Sequence, residues 1–338
     1  MSTATQSPRQ SADVLVTGAG GFLGSALTRR LVADGLKVRA LVRRPVSWAA
    51  QLPDVEVSTG DLADAQVVAQ AVAGVSVVYH LGATTRGSRN EIQAGTVRAT
   101  RNIVDACLSC ATRRLVYVSS LGVLDHAGRE PGRVTNEGSR YEPHPERRGL
   151  YTQAKIEAEH AVIEAITGRG LPAVVLRPGQ IFGPGSERVA PNGVFEFAGW
   201  NLVGDGTQSL PLVYVDDMVD ALVLAGSRPG VIGKTFNIVD PAVVSQHEYL
   251  HAVASRPEFE PRLRRLPVAF MLAAALLSEC AGFVLRRDVP LTRYRVRSMR
   301  PLADFDLTAA SNALGWRPRV GARAGLERSF SGARRASP

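Results

Sequence analysis

Lysine is almost missing from this chain. Only Lys37, Lys155 and Lys234 occur, although lysine and arginine together number 40. Arginine supplies nearly every cation, so a lysine at a chemically suggestive position carries extra weight. Cysteine is equally scarce. Cys107, Cys110 and Cys280 are the whole complement, which argues against a disulfide framework and fits a reducing cytoplasm. The stretch from Met1 to Ala12 is polar and holds no apolar h-region, so a signal peptide is not expected. The formal charge is +9, yet the arginines gather only in short clusters such as Arg43-Arg44, Arg113-Arg114, Arg147-Arg148 and Arg286-Arg287. Without a basic arm or a stripe of interleaved aromatics, nucleic acid is not the expected partner.

What is present is an ordinary globular composition. The chain has 338 residues and is 45% hydrophobic, enough for one large α/β domain or a domain with a smaller lobe. Val14 to Thr17 is an apolar run that meets a glycine cluster, Gly18-x-x-Gly21-x-x-Gly24, and Phe22 to Leu31 follows as an amphipathic segment. This predicts strand, tight turn and helix. Gly18 makes the turn without a Cβ penalty, Gly21 lets backbone approach a pyrophosphate, and Gly24 lets helix pack on strand. The helix N-terminus then offers free N–H groups and partial positive charge to the phosphates.

Strand and helix patterns continue to alternate. Strands are expected at Val38–Val42, Val55–Val57, Val75–Leu81, Leu115–Ser120 and Ala173–Arg177, and helices at Ala65–Val72, Ile92–Cys110 and Tyr151–Thr167. Near-continuous apolar strands between helices indicate a parallel sheet buried on both faces. Gly-Pro-rich stretches at Pro178–Gly185 and Val203–Pro211 break the rhythm and read as the crossover into a smaller lobe. The expected division is a flexible tail at 1–11, a dinucleotide-binding core at 12–185, a mainly substrate-binding lobe at 186–328, and a second tail at 329–338. A strand near 236–239 is expected to return to the core sheet.

Cofactor choice is read at the end of the second strand. An NAD-preferring fold usually places a carboxylate about 20 positions past the glycines. Here Arg43 and Arg44 follow Val42. A guanidinium suits a 2′-phosphate, so NADP(H) is favoured and NAD(H) stays open, the other reading being a solvated pair. Asp61, in Gly60-Asp61-Leu62, either accepts from the adenine amino group or caps the next helix.

The chemistry rests on Tyr151 and Lys155, four apart at a helix start and so on one face, with Ser119-Ser120 upstream at a strand end. A free phenol has a pKa near 10 (roughly,). A neighbouring ammonium favours the phenolate and lowers that value towards the working range. A serine hydroxyl would hold the carbonyl or alcohol oxygen beside the phenol.

These motifs resemble the extended short-chain dehydrogenase/reductases over nearly the whole chain. The likeness takes in the glycine turn, Gly60-Asp61-Leu62, His80-Leu81-Gly82-Ala83, Val118-Ser119-Ser120, the Tyr151/Lys155 pair and Arg177-Pro178-Gly179. It continues through Tyr214-Val215-Asp216-Asp217 and Leu314-Gly315-Trp316-Arg317-Pro318. Pro290-Leu291-Thr292-Arg293-Tyr294 with Phe305-Asp306 is most similar to the 3β-hydroxysteroid dehydrogenase branch. The resemblance implies Ser120 as the substrate-orienting serine, with Ser119 the weaker alternative, Tyr151 as acid/base, and Lys155 as its modulator and ribose anchor. It implies cofactor contacts at Gly18, Gly21, Phe22, Leu23, Gly24, Arg43, Arg44, Asp61, Leu62, Tyr151, Lys155 and Pro178. One departure stands out: Thr96 and Ala99 replace the asparagine and glycine of the family's Asn-Val-x-Gly-Thr run.

Three other features invite a chemical reading. His247-Glu248-Tyr249-Leu250-His251 matches a zinc-binding spacing, but no third ligand follows at a metalloprotease spacing and a solvated helix face is expected, with no metal. Cys107-x-x-Cys110 lies late in a helix and reads as buried thiols. Pro267–Leu285 is the longest apolar segment and includes Ser278 and Glu279. It is expected to line or cover the substrate pocket, with an interfacial membrane contact or a span as the alternatives. The expected protein is a doubly wound Rossmann-type enzyme, monomeric or homodimeric, cytoplasmic or membrane-associated. It would transfer a hydride between a nicotinamide and a secondary alcohol or ketone of a small hydrophobic substrate, steroid-like, polycyclic or long-chain. The alternatives are a nucleotide-sugar epimerase or dehydratase, with Arg188, Arg293, Arg295 and Arg297 available for a diphosphate, and a non-catalytic dinucleotide sensor.

Overall fold

The computed structural model describes residues 12–128, 132–186, 189–254, 262–287 and 289–330. The stretches 1–11 and 331–338 and Arg188 lie outside the described residues. The chain begins β1 (Val14–Thr17), α1 (Phe22–Ala33), β2 (Val38–Val42), β3 (Val55–Thr59), α2 (Ala65–Val72) and β4 (Val77–His80). There follow α3 (Arg89–Ile92), a π-helical turn over Gln93–Arg98, α4 (Ala99–Ser109), β5 (Arg114–Val118), α5 (Pro145–Arg148), α6 (Leu150–Arg169) and β6 (Ala173–Pro178). Next come β7 (Gln180–Phe182), β8 (Val194–Glu196), β9 (Trp200–Val203), β10 (Leu212–Tyr214), α7 (Val215–Ser227), β11 (Thr235–Ile238) and α8 (Gln246–Ala254). The last are β12 (Leu263–Leu266), α9 (Val268–Leu285), α10 (Arg293–Ser298), a π-helical turn over Ala309–Leu314, and α11 (Ala322–Phe330).

Seven strands form the central sheet in the order β11-β6-β5-β4-β1-β2-β3. β1 pairs in parallel with both β2 and β4, and β2 with β3 and β4 with β5 likewise. The chain therefore winds outward in both directions from β1, and the crevice beside it is where such folds take ligands. β11 is the returning strand, at the sheet edge. The expected helix at Ile92–Cys110 is instead two α-helical pieces joined by the π-helical turn. There a Cβ on Gly95 would stand 2.0 Å from Thr84 Oγ1, so the widened turn accompanies close packing on the loop after β4. α11 takes in Ser329 and Phe330, both buried, so the stretch 329–338 begins inside a helix.

Contacts divide the chain into two compact units. The first takes residues to Val118, Glu157–Val175 and Ala225–Lys234. Its core joins Leu15, Leu41, Val78, Leu115 and Val175 of the strands to Val68, Ile103, Val104 and Val162 of the helices. α1 buries Gly24, Leu27, Thr28 and Leu31, the three- and four-residue spacing of one helical stripe.

The second unit takes Ser119–Ile156, Leu176–Leu224 and Thr235 onward. β7 and β10 form a two-stranded parallel sheet, and β12, β9 and β8 a three-stranded one. Two motifs far apart in sequence meet here. The buried Asp217 accepts from the backbone N–H groups of Arg319, Val320 and Gly321 at 2.7, 3.0 and 2.9 Å. Trp316 Nε1 donates to the Asp217 carbonyl at 2.8 Å. One carboxylate thus holds the loop after the second π-helical turn.

Asp217→Ala should lower the free energy of unfolding by about 3 kcal/mol or more, since hydrogen bonds to a charged group are each worth roughly 1.5–3 kcal/mol and three donors lose their acceptor. Urea unfolding reads this directly, and a midpoint equal to wild type would overturn the account.

Candidate functional site

The glycine turn lies in the first unit. Gly18 has φ +68°, and a Cβ there would stand 2.9 Å from Gly82 N. At Gly24 a Cβ would stand 2.2 Å from Gly18 O and at Gly21 3.3 Å from the same atom. Bare backbone fills this space, and α1 starts above it. Among the described residues α1 has no side-chain cap and no acidic residue in its first turn. The N–H groups around Phe22, Leu23 and Gly24 are therefore left to an outside acceptor. The cradle fits a pyrophosphate.

A buried polar chain holds this turn in place. Thr17 Oγ1 lies 2.8 Å from His80 Nδ1 and accepts from Gly82 N at 3.2 Å. His80 Nε2 lies 3.1 Å from Thr100 Oγ1, which donates to the Thr96 carbonyl at 2.7 Å. Thr96 Oγ1 then accepts from Thr84 N at 3.1 Å and lies 3.2 Å from Thr84 O as donor. Thr96 thereby fastens the loop after β4 through one hydroxyl. Thr17 opens the glycine-turn motif and Thr100 ends the Thr96–Thr100 run, but the sequence assigns neither a role, and Thr84 carries no motif signal.

Arg43 and Arg44 are exposed directly after β2. Asp61 is also exposed, and its Oδ1 accepts from Ala63 N at 2.8 Å. The helix cap that Asp61 could have supplied belongs instead to Asp64, which accepts from Gln66 N and Val67 N. Leu62 is half-buried, with its carbonyl accepting from Asn102 Nδ2 at 2.9 Å. Pro178 closes β6 and is buried.

Ser120, Tyr151 and Lys155 all lie in the second unit. Ser120 ends the segment after β5 and accepts from Gly122 N at 3.0 Å, capping a short 3₁₀ turn at Leu121–Val123. Ser119 is buried, and its Oγ is among the buried polar atoms without a hydrogen-bond partner in the described structure. Tyr151 and Lys155 are in the first turns of α6, and Lys155 is buried at 5% exposure. Burial pushes the Tyr151 phenol up from its ordinary value, and a hydrogen bond from Ser120 draws it partly back. Ser120 and Tyr151 thus meet. The direction is opposite to the lowering expected from the Lys155 ammonium, and its largest cause is the burial of the phenol.

Arg148 joins the two segments that carry Ser120 and Tyr151. Its Nη1 donates to the carbonyls of Gly122 at 3.0 Å and Leu124 at 3.2 Å. It faces the Glu142 carboxylate at 3.8 Å, and the Glu142 side chain is fully buried. Tyr294 of α10 donates to Glu142 Oε1, which also accepts from His144 N at 3.0 Å. Beside this cluster lies an open cleft of about 350 Å³ lined by residues that include Asp125, Arg140, His144, Tyr294 and Arg297.

The His-Glu-x-x-His and Cys-x-x-Cys spacings lie on α8 and α4. Tyr249 and Leu250 bury one side of α8. Glu248 accepts from Ser245 N at 2.7 Å and from Arg323 at 3.0 Å, and Arg265 Nη2 lies 3.1 Å from His247 Nδ1. Cys107 is buried but Cys110, at the end of α4, is exposed, which corrects the reading of both thiols as buried.

Comparison with known proteins gives this geometry its setting. The profile of the NAD dependent epimerase/dehydratase family matches residues 14–238. The chain is similar to a 2-alkyl-3-oxoalkanoate reductase of Stenotrophomonas maltophilia, 32% identical over 93% of this chain and 97% of that protein. It is 27% identical to a decarboxylating sterol-4-alpha-carboxylate 3-dehydrogenase of Saccharomyces cerevisiae, over 94% of this chain and 97% of that one. Among solved structures, MoeE5 in complex with UDP-glucuronic acid and NAD superposes with TM-score 0.70 at 26% identity, covering 94% of this chain and 98% of MoeE5.

Removing Arg148 would leave the Glu142 carboxylate buried beside an empty space. Arg148→Met is expected to cost about 3–5 kcal/mol, the range for a broken buried ion pair. Arg148→Lys should recover less than half, because one ammonium cannot span two carbonyls and a carboxylate. Equal stability of all three proteins in urea would sink the assignment.

Proposed function

The chain belongs to the NAD dependent epimerase/dehydratase family, and we propose that it transfers a hydride between a nicotinamide and a secondary alcohol or ketone, with Tyr151 moving the proton. The carrying observation is that one compact unit holds Ser120 together with Tyr151 and the buried Lys155, the last two a turn apart at the start of α6. Ser120 holds the substrate oxygen, Tyr151 Oη gives or takes its proton, and Lys155 steadies the phenolate and binds the ribose. In the first unit Gly18–Gly24 and the start of α1 would hold a dinucleotide's pyrophosphate, with Asp61 and Leu62 as further cofactor contacts; in the second unit Pro178 is assigned to the same cofactor. When bound it supplies or accepts the hydride. A phenol held above its ordinary pKa is neutral at physiological pH, which is the form that donates in ketone reduction.

The substrate is a hydrophobic β-oxo or β-hydroxy acid. The substrates that name these two relatives carry a carboxylate on the carbon next to the one oxidised or reduced, one on a branched alkyl chain and one on a sterol. Arg140 and Arg297 in the cleft beside Tyr294 suit that carboxylate, since guanidinium pairs with it through two parallel bonds. The second reading, a nucleotide sugar, is favoured by MoeE5. The same arginines could take a diphosphate.

NADP(H) is the favoured cofactor. The exposed Arg43 and Arg44 replace the carboxylate that would bind a free 2′-hydroxyl and offer charge-assisted bonds to a 2′-phosphate.

Tyr151→Phe should lower turnover by about 100- to 10,000-fold while the fold and cofactor binding survive. As pH rises through the phenol's pKa, kcat/KM for reduction should fall and that for oxidation rise, since one needs the acid and the other the base. Turnover within a few fold of wild type would remove Tyr151 from its role. A substrate panel separates the two readings. A long-chain 2-alkyl-3-oxo acid should be reduced at least about tenfold better than its methyl ester, the value of one charged contact. Reaction of a nucleotide sugar alone, assayed by product analysis, would replace the β-oxo acid reading.

Arg43→Asp tests cofactor choice. Wild type should prefer NADP(H) by about tenfold or more, and the variant should shift towards NAD(H). Equal affinity of wild type for both would reduce the two arginines to surface charge.

A further inference from the structure

α9 is apolar on the side that faces outward. Its buried residues are Met271, Ala275 and Gly282, and Met271 and Ala275 pack with Val203 and Val296. Opposite them run Phe270, Ala273, Leu277, Cys280 and Val284, all exposed. Leu277 is 71% exposed, Phe283 87% and Val284 77%. A surface helix of a globular protein places polar side chains there, and apolar patches of this size mark an interaction surface. The only charged residue in the helix, Glu279, is tied to Arg293 at 2.7 Å.

Charge selects the occupant. Exposed Arg264 and Arg265 lie just before α9 and exposed Arg286 and Arg287 just after it. A second copy packed helix to helix would bring these arginines against arginines in either direction: antiparallel, the start of one helix meets the end of the other, and parallel, like ends meet. An anionic bilayer surface instead accepts the side chains in its acyl boundary and the guanidinium groups among its phosphates. Packing also selects the orientation. One face of α9 is held by its own unit, and a Cβ on Gly282 would stand 2.7 Å from Val289 Cγ1, where the chain folds back on the helix. A spanning helix could not keep those contacts. We propose that α9 lies in the plane of an anionic membrane, with Phe270, Leu277, Phe283 and Val284 inserted and the flanking arginines on the headgroups. This surface is independent of the substrate reading above.

Vesicle flotation of the full chain tests it without an activity assay. Wild type should float with phosphatidylcholine vesicles containing phosphatidylglycerol and bind pure phosphatidylcholine vesicles about tenfold less, the anionic share shrinking at high salt. The double variant Leu277→Glu/Val284→Glu should lose binding by about tenfold or more, and Phe283→Gln provides a milder check. Both are at exposed positions, and an unchanged melting curve verifies folding. Arg286→Gln/Arg287→Gln should weaken only the anionic vesicles, by roughly tenfold. Wild type remaining unbound overturns the proposal, as do equal binding to both lipid compositions or α9 variants that bind like wild type. A concentration-dependent dimer dissolved by Leu277→Glu/Val284→Glu, without vesicle binding, would assign the face to a second copy.

Discussion

The backbone of Gly18 and Gly24 approaches so closely that no side chain fits between them. A Cβ at Gly24 would stand 2.2 Å from the Gly18 carbonyl and 2.8 Å from Ala19 Cα. That contact sets the start of α1 directly over the end of β1, and the strand order makes β1 the point from which the sheet winds both ways. The free N–H groups of the helix therefore open onto the crevice at that point. The turn is fixed from below as well. Thr17, His80, Thr100, Thr96 and Thr84 form a continuous polar chain under it. In a low-dielectric interior such a chain stabilises only if each member finds a partner; the side chains of Thr17, His80, Thr100 and Thr96 each have one, and Thr84 joins through its backbone N–H and carbonyl.

The second unit solves a similar problem with charge. Ser120 and Tyr151 belong to segments 31 positions apart by the sequence numbering, and Arg148 ties the short 3₁₀ turn after Ser120 to the end of α5, just before Tyr151. Arg148 contacts two carbonyls of one segment from the end of the other. Its countercharge, Glu142, is held in turn by Tyr294, 152 positions on. Arg177 works likewise, donating to the Glu137 carbonyl at 3.0 Å and the Tyr141 hydroxyl at 2.8 Å. A planar guanidinium can serve two acceptors at once, so one side chain on a helix or strand pins two oxygens of a neighbouring segment.

This division explains what could be read from sequence. Strands such as Val38–Val42 and helices such as Ala65–Val72 were legible because local period and burial agree there. The glycine turn and the four-residue spacing of Tyr151 and Lys155 are also local patterns. Tyr294 and Glu142 carry no such pattern, since their partnership exists only once α10 has packed. The direction of the Tyr151 shift was missed for a related reason. Spacing reveals the neighbouring ammonium but not the desolvation that opposes it. For α9, composition showed an apolar helix, while its outward exposure needed the packing of Met271 and Ala275 to be known.

The three lysines sharpen the case for the site. Lys234 is exposed and Lys37 half-buried, whereas Lys155 is buried. Elsewhere the chain meets the need for a structural cation with arginine: Arg114 spans the carbonyls of Ala225 and Arg228 at 3.1 and 2.9 Å, as Arg148 and Arg177 span theirs. Each of those roles uses the fork. At position 155 the chain departs from its habit and places a compact point charge one turn from a phenol. A guanidinium stays charged and needs a broad, planar set of acceptors, while an ammonium can rotate its donors among small, separate groups and responds to its surroundings. A ribose hydroxyl pair and a phenolate oxygen are such groups. A buried lysine at 155 therefore suits the role proposed for it, and in a chain so poor in lysine the choice is hard to account for as a surface pairing.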